Sequence, residues 1–140
     1  MIGFNKLASP GELGNQMFKY AALKGIASNR ELEYCIPPSL NYYIDFLDMS
    51  KFYRFKIIKK FFSNHFLFNC FEMKTLNKKN IKFLETDDTT YEKSFNFDQS
   101  LFDTCKDNTN INGFFQTEKY FKDIRTELLK DFTFKHKYRE

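Results

Sequence analysis

The 140-residue chain has no tryptophan and no valine, five glycines, three prolines, and only four arginines beside eighteen lysines. It has no uninterrupted apolar run near the ~20 residues that span a bilayer, which excludes a membrane-crossing helix. Met1-Ile2-Gly3-Phe4-Asn5-Lys6 lacks the basic-then-apolar layout of a secretory signal. A cytoplasmic chain is expected, touching a membrane at most as a peripheral surface contact. Cys35, Cys70 and Cys105 are odd in number, far apart, and without a Cys-x-x-Cys pair or a His at ligand spacing. That pattern excludes a zinc site and a disulfide framework, leaving reduced, buried thiols. No Asp-x-Asp occurs, and the adjacent carboxylates Asp87 and Asp88 would diverge in a strand, so they read as a solvated turn and no metal is expected. The scarcity of Arg argues against a nucleic-acid partner, whose backbone is usually met by clustered Arg as well as Lys.

What is present fits one globular domain over residues 1–140, with 42% hydrophobic and 29% charged residues. There is no internal repeat and no low-complexity linker. The 19 Phe, 18 Lys and 12 Asn are the residues that an AT-rich coding sequence favours, so part of that surplus is base composition. Charge is unevenly placed: Lys51 to Lys82 holds nine bases against one acid, and Glu85 to Asp107 holds seven acids against two bases. Such runs are ordinarily solvated faces. His65 and His136 are isolated and read as structural or exposed.

The opening reads as strand, glycine loop, helix and strand. Ile2–Leu7 predicts a short strand, weakened by Asn5 and Lys6, and Ser9-Pro10-Gly11-Glu12 is turn chemistry. A helix is expected from Leu13 or Asn15 to Ser28, with Phe18, Ala22 and Ile26 on one apolar face. Asn29-Arg30 ends it, and Glu31–Ile36 alternates as a strand before Pro37-Pro38. This is a βαβ unit, which implies a parallel sheet. In the middle, Phe55–Phe62 predicts a short amphipathic helix, Ile81-Lys82-Phe83 a strand, Asp87–Thr90 a turn and Lys106–Asn110 a polar loop. Toward the end, Ile111–Phe115 predicts a buried strand. A helix follows from about Glu118, capped by Thr117, with Phe121, Ile124, Leu128 and Phe132 as its stripe. The class is α/β, a parallel sheet flanked by helices.

Gly11-Glu12-Leu13-Gly14-Asn15-Gln16 joins a strand to a helix. A helix N-terminus offers unpaired N–H groups and partial positive charge, which suit a phosphate or an oxyanion. Gly11 and Gly14 would permit close backbone approach, while Asn15 and Gln16 supply amides able to orient a sugar or nucleotide. The loop is neither a nucleotide-hydrolase phosphate loop nor a full dinucleotide fingerprint. By spacing alone, a simple tight turn with an N-cap is the favoured explanation.

The residues themselves go further. Gly14-Asn15-Gln16-Met17-Phe18-Lys19-Tyr20-Ala21 resembles the G-N-Q-M-F-Q-Y-A block of the α-1,2-fucosyltransferases, glycosyltransferase family 11. About a hundred residues later, Gly113-Phe114-Phe115-Gln116-Thr117-Glu118-Lys119-Tyr120-Phe121 resembles the family's G-Y-F-Q-S-E-K-Y-F. Ile124-Arg125 and Phe132-Thr133-Phe134 echo its I-R and F-x-F, and Tyr91–Asp98 fits a more loosely kept stretch. Glu12 departs from the family, which has Gly or Arg there, and a carboxylate would repel a pyrophosphate.

The resemblance implies the Rossmann-like N-terminal half of a GT-B type enzyme, in which two α/β domains face each other across the active site. It implies an inverting, metal-independent transfer of L-fucose from GDP-fucose to the 2-hydroxyl of a terminal galactoside. GDP-fucose is the donor substrate and no cofactor is needed. Gly11, Gly14, Asn15 and Gln16, with Gln116 and Glu118 at the second junction, are the implied substrate-binding residues. The family's H-x-R-R-G-D-Y block, whose Arg holds the diphosphate, occurs nowhere in these 140 residues. Fixed cations or amides that meet the charge growing on the leaving GDP are the main catalytic requirement. Arg125 is the one Arg near a motif, and helix packing or a salt bridge accounts for it. No catalytic residue is assigned, and the chain alone is expected to show little or no activity; its partners are GDP-fucose and a galactoside acceptor, with a separately encoded C-terminal half left open. The alternatives are a catalytically dead carbohydrate- or protein-binding remnant, and a basic aromatic binder of a polyanion or membrane surface built on Phe52–Phe62.

Overall fold

The computed structural model describes residues 1–8, 12–39 and 65–139. The turn residues Ser9-Pro10, the candidate Gly11, the expected helix at Phe55–Phe62 and the basic aromatic stretch Phe52–Phe62 lie outside the described residues. Four strands, β1 (Ile2–Gly3), β2 (Tyr34–Cys35), β3 (Thr89–Tyr91) and β4 (Thr109–Asn112), form one sheet in the order β2-β1-β4-β3. Every neighbouring pair is parallel, with Ile2 opposite both Tyr34 and Thr109, and Thr90 opposite Ile111. The helices are α1 (Leu13–Asn29), α2 (Leu67–Cys70), α3 (Gln99–Thr104) and α4 (Arg125–Asp131). The α/β class and the parallel sheet are as expected.

The crossovers β1-α1-β2 and β3-α3-β4 step across the sheet in the same sense. Right-handed crossovers therefore put α1 and α3 on the same face. The two helices are tied there, Asn29 Nδ2 donating to the Phe102 carbonyl at 2.9 Å and Arg30 Nε to the Cys105 carbonyl at 3.2 Å. After β4 the chain returns over α1 as two 3₁₀ turns, Glu118–Tyr120 and Lys122–Ile124. They pass so close that a Cβ on Gly25 would lie 1.9 Å from the Tyr120 carbonyl oxygen.

This covering explains a correction to the α1 stripe. Phe18, expected on the buried face, is 38% exposed, while Tyr20, Leu23, Ala27, Lys19 and Lys24 are buried. A helix packed on several sides has no single apolar face. Its C-terminus closes as a Schellman motif: Leu32 N bonds the Ala27 carbonyl at 2.9 Å and Glu31 N that of Ser28 at 3.2 Å. Glu31 takes the left-handed conformation, with φ 54°, so the expected strand Glu31–Ile36 shortens to Tyr34–Cys35.

Other boundaries also move. β1 stops at Gly3, because the Asn5 side chain pairs instead with the backbone of Leu84, donating at 2.9 Å and accepting at 2.9 Å. The expected strand at Ile81–Phe83 is a single parallel bridge from Ile81 to Ile36. Thr89–Tyr91, read as turn and beyond, is strand β3. Lys106–Asn110, read as loop, contains the start of β4, whose Thr109 hydroxyl meets that of Thr90 at 3.0 Å. The expected helix from Glu118 is two 3₁₀ turns before α4, although Thr117 does cap it, accepting from Lys119 N at 3.4 Å.

The Phe132-Thr133-Phe134 segment runs antiparallel to residues 70–73, with a bridge between Phe71 and Phe134. Beside it Asp131, fully buried, binds α4 to α1. Its carboxylate accepts from Lys24 Nζ at 2.8 Å, Tyr20 OH at 2.7 Å and Thr75 N at 2.7 Å. These donors hold the Asp131 carboxyl below its ordinary value against the opposing effect of burial. The cysteines are free thiols, Cys35 and Cys105 buried and Cys70 half-buried, and burial pushes Cys35 up to about 11. No helix among the described residues is long and apolar enough to cross a membrane.

Candidate functional site

In a parallel sheet all carboxyl ends share one edge, and ligands of open α/β folds gather there. Here that edge is formed by Phe4 after β1, Glu92 after β3 and Gly113 after β4. The N-terminus of α1 opens onto the same edge. Leu13, Gly14 and Asn15 make its first turn, after Glu12, whose backbone is extended and whose side chain makes no capping bond.

The chain leaving β4 is bent sharply and held by Glu92. Glu92 Oε2 accepts from Phe114 N at 3.1 Å and Phe115 N at 2.9 Å, and Oε1 accepts from Tyr120 OH at 2.9 Å. A Cβ on Gly113 would sit 2.6 Å from Glu92 Cβ, and Phe115 is left-handed at φ 52°. Backbone N–H groups bonded to a carboxylate make a firm clamp. The clamp presents Gln116 to α1.

Gln116 Nε2 donates to Asn15 Oδ1 at 2.8 Å. The two blocks, 101 residues apart in the chain, thus meet through their amides at the carboxyl edge of the sheet. Asn15 is half-buried and Gln116 exposed, so the pair lies at the surface. Gly14 is exposed, and beyond its chain neighbours and its own helix backbone no atom of the described residues lies within 4 Å of where its Cβ would be. Glu118, two residues after Gln116, is exposed as well.

Gln16 is 1% exposed, and its Oε1 accepts from Phe66 N at 2.6 Å, joining the first turn of α1 to the start of α2. That oxygen serves the fold. Arg125 is exposed at the start of α4.

Three contributors were not singled out from sequence. Lys19, one turn after Asn15, lies between the rings of Phe4 at 5.7 Å and Phe114 at 5.6 Å, and burial lowers its ammonium below the ordinary range. Glu92 shapes the loop. Phe95, 76% exposed, stacks on Phe114 with centroids 5.9 Å apart and planes at 26°. Lys19 stood inside the quoted block, so its one-turn spacing from Asn15 was a usable signal. Glu92 and Phe95 stood in the loosely kept stretch Tyr91–Asp98, which gave neither of them a role.

A cleft of about 270 Å³ lies elsewhere, along the outer edge of β3 and against α3, lined among others by Thr90, Thr109, Ser100, Lys93 and Lys106. It shares no residue with the Asn15–Gln116 site. Among the described residues, no group of three or more His, Cys, Asp or Glu side chains could hold a metal ion. Comparison of the chain with protein-family models, with curated proteins and with solved structures finds no match.

Proposed function

We propose that this chain forms one wall of a sugar-nucleotide cleft in a Rossmann-like, GT-B type fucosyltransferase. The reaction would move L-fucose from GDP-fucose to the 2-hydroxyl of a terminal galactoside, with inversion and without a metal. The observation that carries the reading is the 2.8 Å bond between Gln116 and Asn15. It joins the two blocks whose residues resemble the family, at the sheet edge where such a ligand would bind.

In this reading the amides of Asn15 and Gln116 align hydroxyl groups, trading their mutual bond for bonds to the sugar. The first-turn N–H groups of α1 add partial positive charge. Gly14 leaves room for the ligand to approach the backbone. Glu12 and Glu118, both exposed, flank the pair in sequence with carboxylates. Stabilisation of the leaving diphosphate is therefore not assigned to any described residue of this edge of the sheet.

Binding and turnover test this separately. By ligand-observed NMR, the 140-residue chain is expected to bind methyl β-galactoside and GDP-fucose weakly, and to lose both in the Asn15→Ala/Gln116→Ala double variant. Radiolabelled GDP-fucose should give no transfer with the chain alone. Binding of neither ligand would end the proposal. Binding of the galactoside with no GDP-fucose binding would favour a second reading, a non-catalytic carbohydrate-binding domain, which the carboxylates of Glu12 and Glu118 support.

A further inference from the structure

Phe95 is the most exposed of the large apolar side chains among the described residues, at 76%. It is not a stray ring on a loop. It stacks on Phe114, and Phe114 is fixed from two other sides. Its backbone N–H is bound by Glu92 Oε2 at 3.1 Å, and the buried Lys19 ammonium sits 5.6 Å from its ring centroid. Lys19 is one turn from Asn15 on α1, Asn15 bonds Gln116 at 2.8 Å, and Gln116 is two residues from Phe114. The aromatic pair and the amide pair therefore belong to one closed circuit of contacts.

We propose that the Phe95–Phe114 pair is an aromatic shelf on which the ring of a β-galactoside stacks, with its hydroxyl groups directed to the amides of Gln116 and Asn15. The inference rests on the reading that this site takes a galactoside, and adds the subsite that holds its apolar face. The axial 4-hydroxyl of galactose gathers the hydrogens of C3, C4 and C5 on one side of the ring. That side carries slight positive charge and is apolar, so it matches the electron-rich face of Phe95. A mostly apolar surface with a few convergent polar groups is the usual make-up of a small-ligand site. The carboxylates of Glu12 and Glu118, which flank the amide pair in sequence, favour a neutral sugar over the phosphates of a nucleotide.

The test uses the full 140-residue chain, with methyl β-galactoside and GDP as separate probes and saturation-transfer NMR as readout. Saturation in the galactoside should concentrate on the C3, C4 and C5 protons. Phe95→Ala should weaken galactoside binding about tenfold, close to what loss of one aromatic stacking partner costs elsewhere. Phe95→Tyr should stay within about twofold, because it keeps the ring. Both variants should melt with the wild type, since the side chain is solvent-exposed. Unchanged galactoside affinity in Phe95→Ala would overturn the shelf while leaving the proposed function standing. Guanine protons of GDP saturated in a Phe95-dependent way, without the galactoside, would overturn it in favour of a nucleobase platform. A chain that binds neither galactoside nor GDP-fucose would overturn the functional reading and the shelf together.

Discussion

Gly14 and Gly25 lie in the same helix, and replacing each with alanine should have opposite effects. In a helix alanine is favoured over glycine by up to about 1 kcal/mol, chiefly because the unfolded chain has less freedom to lose. At Gly14, beyond its chain neighbours and its own helix backbone, no atom of the described residues lies within 4 Å of the added Cβ, so that gain is realised. Near the helix start it is expected to be about 0.5 kcal/mol, raising the melting temperature by about 2 °C. At Gly25 the added Cβ would lie 1.9 Å from the Tyr120 carbonyl oxygen, 2.8 Å from its carbon and 3.0 Å from Phe121 Cα. All three are backbone atoms that cannot rotate aside. The 3₁₀ turns would have to lift off α1 by over about 1 Å, and overpacking of that kind costs about 3 kcal/mol.

Urea unfolding of the two variants measures both quantities, and ligand binding adds the functional arm. Gly14→Ala should be slightly more stable than wild type and, on the proposed function, bind the sugar about tenfold less well, because the methyl group would occupy the space beside the helix start. A residue retained at a cost to stability is what a binding site requires and what a simple turn does not. If Gly14→Ala loses more than about 1 kcal/mol, protein rather than open space lies against Asn15. The cleft would then have no room for a sugar and the reasoning fails. If Gly25→Ala is neutral, the return of the chain over α1 is wrong.

The imidazole of His65 is fully buried, with Nε2–H donating to the Pro37 carbonyl at 2.8 Å, and burial lowers it to about 4 from the ordinary 6.5. Above pH 6.5 it is neutral folded and unfolded; below that the unfolded chain takes up a proton that the native chain refuses. Stability should fall by about 1.4 kcal/mol per pH unit between pH 6.5 and 4, a slope that His65→Gln flattens in urea titrations; equal slopes would contradict the burial. Asp131→Ala leaves Lys24, 6% exposed at its side chain, with only the exposed Glu127 carboxylate at 3.1 Å, and should cost about 3 kcal/mol by chemical denaturation. A loss below about 1 kcal/mol would mean that α4 is not held this way. Glu92→Gln should speed hydrogen exchange at the Phe114 and Phe115 amides and weaken sugar binding with little change elsewhere, whereas unchanged exchange would detach Glu92 from the loop.

The βαβ opening was legible because its signals are local: an apolar helix bounded by Asn29-Arg30, then alternation up to Pro37-Pro38. β3 and the start of β4 were not. Thr89 and Thr109 sit beside Asp87-Asp88 and Asp107-Asn108, whose turn chemistry dominates a short window. What makes them strands is their mutual pairing, Thr90 with Ile111 and hydroxyl to hydroxyl with Thr109, and pairing across twenty residues has no local trace. The expected face of α1 is buried at Ala22 and Ile26 and fails at Phe18, which is 38% exposed, for a related reason. Periodicity assumes one buried face, whereas the 3₁₀ turns cover a second face from ninety residues away.

The site shows the same division between short-range and long-range information. Asn15 and Gln116 could be named from their blocks, since each lies at a junction of strand or loop with a helical turn. Gln16 could not be separated from Asn15, because adjacent amides in a first turn look alike until one is buried against Phe66. Phe95 was obscured by composition. In a chain with 19 phenylalanines, one more on a loop carries no message. Its meaning comes from exposure joined to support: a ring left in water forgoes the 1.5–3 kcal/mol that burial provides, while the ring beneath it is held by a carboxylate clamp and a buried ammonium. A loop under selection for stability alone would turn Phe95 inward or replace it. An outward ring on a fixed base, with the Asn15–Gln116 amide pair on the same strand-end loop and helix, is the arrangement that the proposed sugar subsite requires.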